Sequence, residues 1–232
     1  MNQKNKVIVA IDLDNFEEII KLIDRIKNSI FGIKLGYEFL FNFGIDGYKK
    51  IQDKKINIFL DLKLHDIPNT VKKGLDAIFK LEPYFTTLHL SGGDKMFQDL
   101  QINRQKTKLL GITALTSLDN EQVKKYYKRE SINELVHEYS KYALENKLDG
   151  IVCSANEISI VKKIIGNNLI IVTPGIRPTS YKLKDDQERT MEPKKAISLG
   201  ADYLVIGRPI IQAKNPLEEL NNINSEINEI KN

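Results

Sequence analysis

Eight short runs rich in β-branched residues alternate with longer amphipathic stretches, and this order constrains the fold more than any other feature. The runs lie at residues 6–12, 32–35, 57–63, 86–90, 108–113, 149–153, 169–173 and 203–206. Strands that alternate with helices predict βαβ units and a parallel sheet. The stretch 15–27 has the helical pattern, since its apolar residues Phe16, Ile19, Ile23 and Ile26 form one stripe.

Eight such units favour a closed (β/α)₈ TIM barrel of the α/β class, in a single domain over residues 1–232. An open doubly wound sheet is the alternative. We do not favour it, because no GxGxxG turn follows the first strand and eight strands suit closure. The stretch after the fifth strand has room for two helices, and the long polar loop at 174–191 predicts a functional segment.

Composition excludes several classes of partner and location. The 35 basic and 31 acidic residues are interspersed, so a nucleic-acid partner is not expected despite the net charge of +4. No stretch approaches the roughly 20 apolar residues of a membrane span, and residues 1–4 lack the apolar run of a leader. We therefore expect a cytoplasmic protein with no membrane contact. The single cysteine, Cys153, lies in an apolar run and is expected to be a buried structural thiol.

Charged residues stand at the ends of the first three predicted strands, where a barrel core is usually apolar. Side chains alternate along a strand, so Asp61 and Lys63 share the inward face at the carboxyl end of the third strand. Asp12 and Lys34 end the first two strands in the same way. A structural salt-bridge network is the alternative, but buried charges cost several kcal/mol per ion. Function explains the placement better, with Lys63 held in its ammonium form between aspartates.

A second cluster of signals lies late in the chain and suits an anion. Gly207 and Arg208 follow the eighth strand and open a helix, a common phosphate position in barrels. Three of the six arginines, Arg177, Arg189 and Arg208, fall in this late stretch, and the guanidinium fork suits phosphate. On the loop at 174–191, Arg177 and Gln187 are expected to close over the same phosphate.

These residues also carry a resemblance to a known family. The run DLKLHDIPNTV at residues 61–71 resembles the signature of bacterial orotidine 5′-phosphate decarboxylases. Other landmarks follow in the family's order, at Asp12, Lys34, 115–117, 173–178, 186–187, Arg189 and 205–209. The resemblance covers nearly the whole chain, with one small departure at Met191, where we expect a local packing consequence.

The resemblance implies the decarboxylation of orotidine 5′-monophosphate to uridine 5′-monophosphate, the last step of de novo UMP synthesis, without a metal or other cofactor. By this resemblance Lys63 protonates C6 of the pyrimidine and Asp61 lies beside the departing carboxylate. Asp66 and Thr70 reach the neighbouring subunit's site, which makes the working unit a homodimer. The implied substrate-binding residues are Asp12 and Lys34 for the ribose, Thr116 for the pyrimidine, and Arg177, Gln187, Gly207 and Arg208 for the phosphate.

Two other functions stay open at this point. A magnesium-dependent sugar-phosphate lyase of a related barrel, such as hexulose phosphate synthase, shares the Asp-x-Lys-x-x-Asp pattern, although the IPNT continuation at 67–70 favours orotidylate. A non-catalytic protein that binds a phosphate ligand would explain Gly207 and Arg208 but leave Asp61 and Lys63 without a role. The histidines His65, His89 and His137 lack a metal-ligand spacing.

Overall fold

Eight parallel strands close into a barrel in the computed structural model, which describes residues 5–98, 100, 106–181 and 190–229. Each strand pairs with the next along the chain, and the eighth pairs with the first. The strands are β1 (Val7–Ala10), β2 (Gly32–Leu35), β3 (Asn57–Leu64), β4 (Phe85–His89), β5 (Lys108–Ile112), β6 (Gly150–Val152), β7 (Ile170–Thr173) and β8 (Tyr203–Ile206). The predicted TIM barrel is confirmed.

Helices follow the strands and surround the barrel. Those in the described residues are α1 (Phe16–Ile26), α2 (Tyr37–Gln52), α3 (Pro68–Phe79), α4 (Asp94–Phe97), α5 (Asn120–Gln122), α6 (Ile132–Glu145), α7 (Ile158–Ile165), α8 (Pro193–Leu199), α9 (Arg208–Ile211) and α10 (Pro216–Asn228). The two helices expected after the fifth strand are α5 and α6. No helix in these ranges is both long and apolar enough to cross a membrane.

Helix α1 illustrates how the sequence sets a helix on the barrel. The side chain of Asn15 caps its first turn by accepting hydrogen bonds from the backbone N–H groups of Glu17 and Glu18. The apolar stripe is buried at Ile19, Ile23 and Ile26, as its spacing predicts.

Strand alternation divides the apolar residues into two clusters. The smaller cluster fills the barrel interior with Ile8, Ala10, Phe59, Phe85, Leu110, Val172 and Val205. The larger one packs the outer faces of the strands against the helices. The interior therefore has a solid apolar centre, and polar groups can be placed at its carboxyl end without opening the core.

Aromatic rings close the amino-terminal end of the barrel. Phe31 lies just before β2, with its ring centroid 4.2 Å from that of Tyr203 and 5.0 Å from that of Tyr84. Phe85 continues this packing, with its ring 5.6 Å from the ring of Tyr203. We call these four residues the aromatic plug. They shut one end of the barrel, so a ligand can reach the interior from the other.

Candidate active site

One cavity at the carboxyl ends of the strands brings together most of the predicted site residues. It is lined by Asp12, Lys34, Asp61, Lys63, Thr116, Arg177, Gly207 and Arg208. These residues come from the ends of six different strands or from the loops that follow them. This is the end of a TIM barrel where active sites are built.

Two predicted residues lie next to this cavity rather than in it. Asp66 and Thr70 are exposed and line a neighbouring groove that also contains Lys63. Lys63 thus contributes to both depressions. Gln187, with Arg189, falls outside the described residues.

A buried carboxylate between two lysines forms the floor of the cavity. Asp61 is 6% exposed, and its Oδ2 lies 2.7 Å from Lys63 Nζ and 3.7 Å from Lys34 Nζ. Burial by itself raises the pKa of Asp61, but the charges of Lys34 and Lys63 and the hydrogen bonds to the carboxylate outweigh it and hold the pKa below its ordinary value. At neutral pH the floor therefore carries one fixed anion between two cationic groups.

The backbone of Lys63 departs from regular strand geometry. Its φ is +46°, in the left-handed region that non-glycine residues rarely adopt. The register between β3 and β4 shifts by two residues between Leu60 and Leu64, an irregularity of the β-bulge kind that we call the bulge. Simple alternation predicted that Asp61 and Lys63 share a face, and both do line the cavity. The bulge that turns Lys63 was not predicted.

Two histidines lie beside Lys63 in the neighbouring groove. The ring centroids of His65 and His89 are 5.4 Å apart, and Ser91 Oγ lies 3.5 Å from His65 Nε2. Burial, followed by the charges of His65 and Lys63, lowers the pKa of His89 to about 4. His89 is therefore a neutral imidazole at physiological pH. Among the described residues, no group of three His, Cys, Asp or Glu side chains is placed to hold a metal ion.

Gly207 and Arg208 line the cavity just after β8. Gly207 directly follows β8, and a Cβ there would lie 3.3 Å from Ala10 Cβ and 3.4 Å from the carbonyl oxygen of Ala10. A larger residue would therefore crowd β1 and the cavity. Arg208 begins α9 beside it and also lines the cavity.

Arg177 is held at the base of the loop that follows β7. Its backbone N–H donates to the carbonyl of Met191 at 3.0 Å, and Ile176 forms a parallel bridge with Met191. The guanidinium lies 5.5 Å from the centre of the Tyr181 ring and donates to the carbonyl of Ile176 at 2.9 Å. Arg177 and Arg208 both line the cavity.

Several cavity residues were missed by sequence reasoning. Cys153 and Ser154 follow β6, and Pro174 and Gly175 follow β7. Their positions at or just after the ends of predicted strands were the signal that could have identified them. Cys153 is 1% exposed, as expected for a buried thiol.

Comparison with known proteins agrees with this geometry. The model of the orotidine 5′-phosphate decarboxylase / HUMPS family matches residues 5–223. The chain belongs to this family. The orotidine 5′-phosphate decarboxylase of Actinobacillus succinogenes is 38% identical over 96% of this chain and 98% of its own length. That of Wolbachia from Brugia malayi is 42% identical over 91% of this chain and 94% of its own.

Solved structures of the family have the same barrel. The crystal structure of orotidine 5′-phosphate decarboxylase from Lactobacillus acidophilus aligns with a TM-score of 0.82 at 37% identity, and it covers 97% of this chain and 99% of that one. The decarboxylase / HUMPS family thus matches this chain in sequence, in strand order and along nearly its full length.

Proposed function

We propose that this chain decarboxylates orotidine 5′-monophosphate to uridine 5′-monophosphate, the step that completes UMP synthesis. The observation that carries the proposal is the network of Lys34, Lys63 and the buried Asp61 in a cavity that Arg177 and Arg208 also line. A nucleoside monophosphate suits these two groups of residues, because it has a phosphate at one end for the arginines and a charged, reactive base at the other for the Lys34, Asp61 and Lys63 network. Full-length relatives named as this decarboxylase support the same substrate.

The substrate phosphate would bind between Arg208, Arg177 and the backbone of Gly207. Guanidinium groups bind phosphate with charge-assisted hydrogen bonds, and Gly207 lets the oxygens approach the chain closely. Gln187 is proposed as a further phosphate ligand on the strength of the family resemblance. With the phosphate there, Asp12 and Lys34 would contact the ribose and Thr116 the pyrimidine, since all three line the same cavity.

The proposed reaction is a direct decarboxylation followed by proton transfer from Lys63. The bond between C6 and the carboxylate breaks, carbon dioxide leaves, and the electron pair stays at C6. The ammonium of Lys63 stabilises that charge and then donates a proton to C6, after which the amine regains a proton from water. Because Asp61 already holds Lys63 Nζ at 2.7 Å, little reorganisation is needed during the reaction.

Asp61 would act on the substrate as well as on Lys63. Its lowered pKa keeps it anionic, and it would lie beside the substrate carboxylate. Two neighbouring anions repel each other, and this repulsion is relieved when carbon dioxide leaves. The same carboxylate would therefore raise the energy of the bound substrate and orient the group that protonates the product.

The proposed working unit is a homodimer in which Asp66 and Thr70 reach the partner's site. Both residues are exposed on the groove beside Lys63. Tyr37 lines the same groove, and its ring stacks on that of Phe41, which is 85% exposed. Exposed aromatic rings next to polar site residues suit a surface that a second copy covers.

Mixing inactive variants tests the shared site. Lys63→Ala and Asp66→Asn proteins should each be inactive, and their reassembled mixture should regain activity in about one quarter of the sites, because each heterodimer holds one intact site. An inactive mixture in which heterodimers are shown by native mass spectrometry would overturn the shared site but leave the proposed reaction in place.

The decisive assay is the loss of orotidylate ultraviolet absorbance with purified protein in EDTA. Wild type should be active and Lys63→Ala should lose at least about 10⁴-fold in kcat, since it lacks both the proton donor and the fixed charge. No loss of orotidylate, together with Mg²⁺-dependent turnover of a hexulose phosphate, would instead favour the sugar-phosphate lyase. We also propose a cytoplasmic location, because a chain with a single cysteine forms no intrachain disulfide, which suits a reducing compartment.

A further inference from the structure

Thr87, on β4, connects the two central residues of the site through one hydroxyl group. Its Oγ1 accepts a hydrogen bond from the backbone N–H of Lys63 at 2.8 Å and donates one to Asp61 Oδ1 at 2.9 Å. Thr87 is fully buried and does not line the cavity. It therefore acts on the site from behind, without substrate contact.

The backbone N–H of Lys63 that donates to Thr87 lies within the bulge. Between Leu60 and Leu64 the regular register of β3 and β4 is lost, and Lys63 adopts a φ of +46°. A left-handed lysine is unfavourable by itself and persists where its surroundings hold it. Thr87 Oγ1 provides an acceptor for the N–H that this conformation turns out of the strand ladder.

The hydrogen bond to Asp61 sets the rotation of the carboxylate. The Thr87 hydroxyl oxygen accepts a hydrogen bond from the Lys63 N–H. Its single hydrogen is then donated to Asp61 Oδ1. The other oxygen, Oδ2, is then left for Lys63 Nζ at 2.7 Å and Lys34 Nζ at 3.7 Å. One hydroxyl thus orients the backbone of Lys63 and the acceptor of its side chain together.

We propose that Thr87 is a positioning residue for the reaction, one that aims the Lys63 ammonium through the bulge and through Asp61. This inference rests on the proposed decarboxylation. Valine has nearly the same shape as threonine but no hydroxyl, so Thr87→Val removes both hydrogen bonds and leaves Asp61 Oδ1 and the Lys63 N–H without that partner.

Thr86, the preceding residue, provides a matched control. It is also fully buried on β4, and its Oγ1 donates to the backbone carbonyl of Leu60 at 3.0 Å. That hydrogen bond joins the same two strands without touching a charged group. Thr86→Val should therefore cost some stability, though less than Thr87→Val, which loses two hydrogen bonds, and should leave the site intact.

The kinetic test compares Thr87→Val, Thr87→Ser and Thr86→Val with wild type. Loss of a hydrogen bond to a charged group should lower kcat of Thr87→Val about 10- to 100-fold, with a much smaller change in KM. Thr87→Ser, which keeps the hydroxyl, should recover most of kcat. Thr86→Val should retain wild-type kcat. Equal kcat values for the two valine variants, measured at a temperature where both are fully folded, would overturn the inference.

The pH profile gives a readout that a purely structural role would not change. Asp61 is faced by Lys34 from β2, Lys63 on its own strand, His89 from β4 and Tyr37 from α2, and these groups remain in every variant. The Thr87 hydroxyl stabilises the anionic carboxylate, so its loss raises the pKa of Asp61. The acid limb of kcat should move to higher pH in Thr87→Val and stay in place in Thr86→Val. An unmoved limb in Thr87→Val would contradict the proposal.

Two measurements separate this inference from the proposed function. Carbon-13 NMR titration of the Asp61 carboxylate and a crystal structure of Thr87→Val need no activity. A raised pKa of Asp61 and a changed φ at Lys63 would support the positioning role even if wild type did not act on orotidylate. An unchanged pKa and backbone would overturn it even in an active enzyme.

Discussion

The two ends of this barrel are built from opposite kinds of residue. The amino-terminal end is closed by the aromatic plug of Phe31, Tyr84, Phe85 and Tyr203, whose rings are within 6 Å or so of one another. The carboxyl-terminal end of the same barrel holds a carboxylate with two lysines. One sheet thus gains stability at one end and, at the other, holds charged groups whose burial costs free energy.

The difference is informative because apolar side chains could have filled either end of the barrel. Buried charges cost several kcal/mol per ion, and aromatic or aliphatic side chains would fill the same space at lower cost. Asp61 is nevertheless 6% exposed and paired with Lys34 and Lys63. Changes at the carboxyl-terminal end should therefore affect activity first, and changes in the aromatic plug should affect stability first.

Among changes that keep Lys63, the largest effect is expected at the centre of the charged end. Asp61→Asn keeps the shape but removes the anion that holds Lys63 Nζ, so kcat should fall about 10²- to 10³-fold. Steady-state assays with orotidylate measure this. A variant with wild-type kcat would show that the carboxylate is a structural element like the aromatic plug.

The same substitution should change how stability depends on pH. The folded pKa of Asp61 lies below the ordinary value of 3.8, so the anion stabilises the fold above that pH, and this contribution disappears as pH falls through the lowered folded pKa. Asp61→Asn should be less stable than wild type at pH 7, with a gap that narrows in acid. Urea unfolding at pH 7 and at pH 3 would test this; a gap that is constant with pH would contradict it.

A smaller effect is expected at the phosphate side of the cavity. Arg208→Ala should lower kcat/KM for orotidylate about 10- to 100-fold through lost charged hydrogen bonds, yet leave turnover of the phosphate-free nucleoside unchanged. Comparing the two substrates isolates the phosphate contact. An equal loss on both would mean that Arg208 supports the fold of the site instead.

The smallest effect on activity is expected in the aromatic plug. Phe31→Leu removes ring contacts with Tyr84, Phe85 and Tyr203, and should lower the free energy of unfolding by about 1–2 kcal/mol with kcat unchanged. Chemical denaturation and steady-state kinetics on the same sample measure both quantities. A loss of kcat without a loss of stability would end the proposed division between the two ends.

Much of the site was predictable because its signals are local in sequence. Asp61 and Lys63 share a strand face by alternation, and Arg208 follows a strand whose end must meet the others. The separation of Asp66 from the cavity also agrees with its place beyond the strand. Thr87 carried no such signal, since a threonine in a strand is ordinary.

The amino-acid sequence by itself determined the eight-unit order, the inward charges of β3 and the anion-binding groups after β8, because periodicity and strand ends depend on neighbouring residues in the chain. Tertiary structure alone decided the left-handed turn at Lys63, its hydrogen bond to Thr87 and the lowered pKa of Asp61. These depend on the register between β3 and β4 and on charges from β2. Such contacts exist when the barrel closes and distant segments meet.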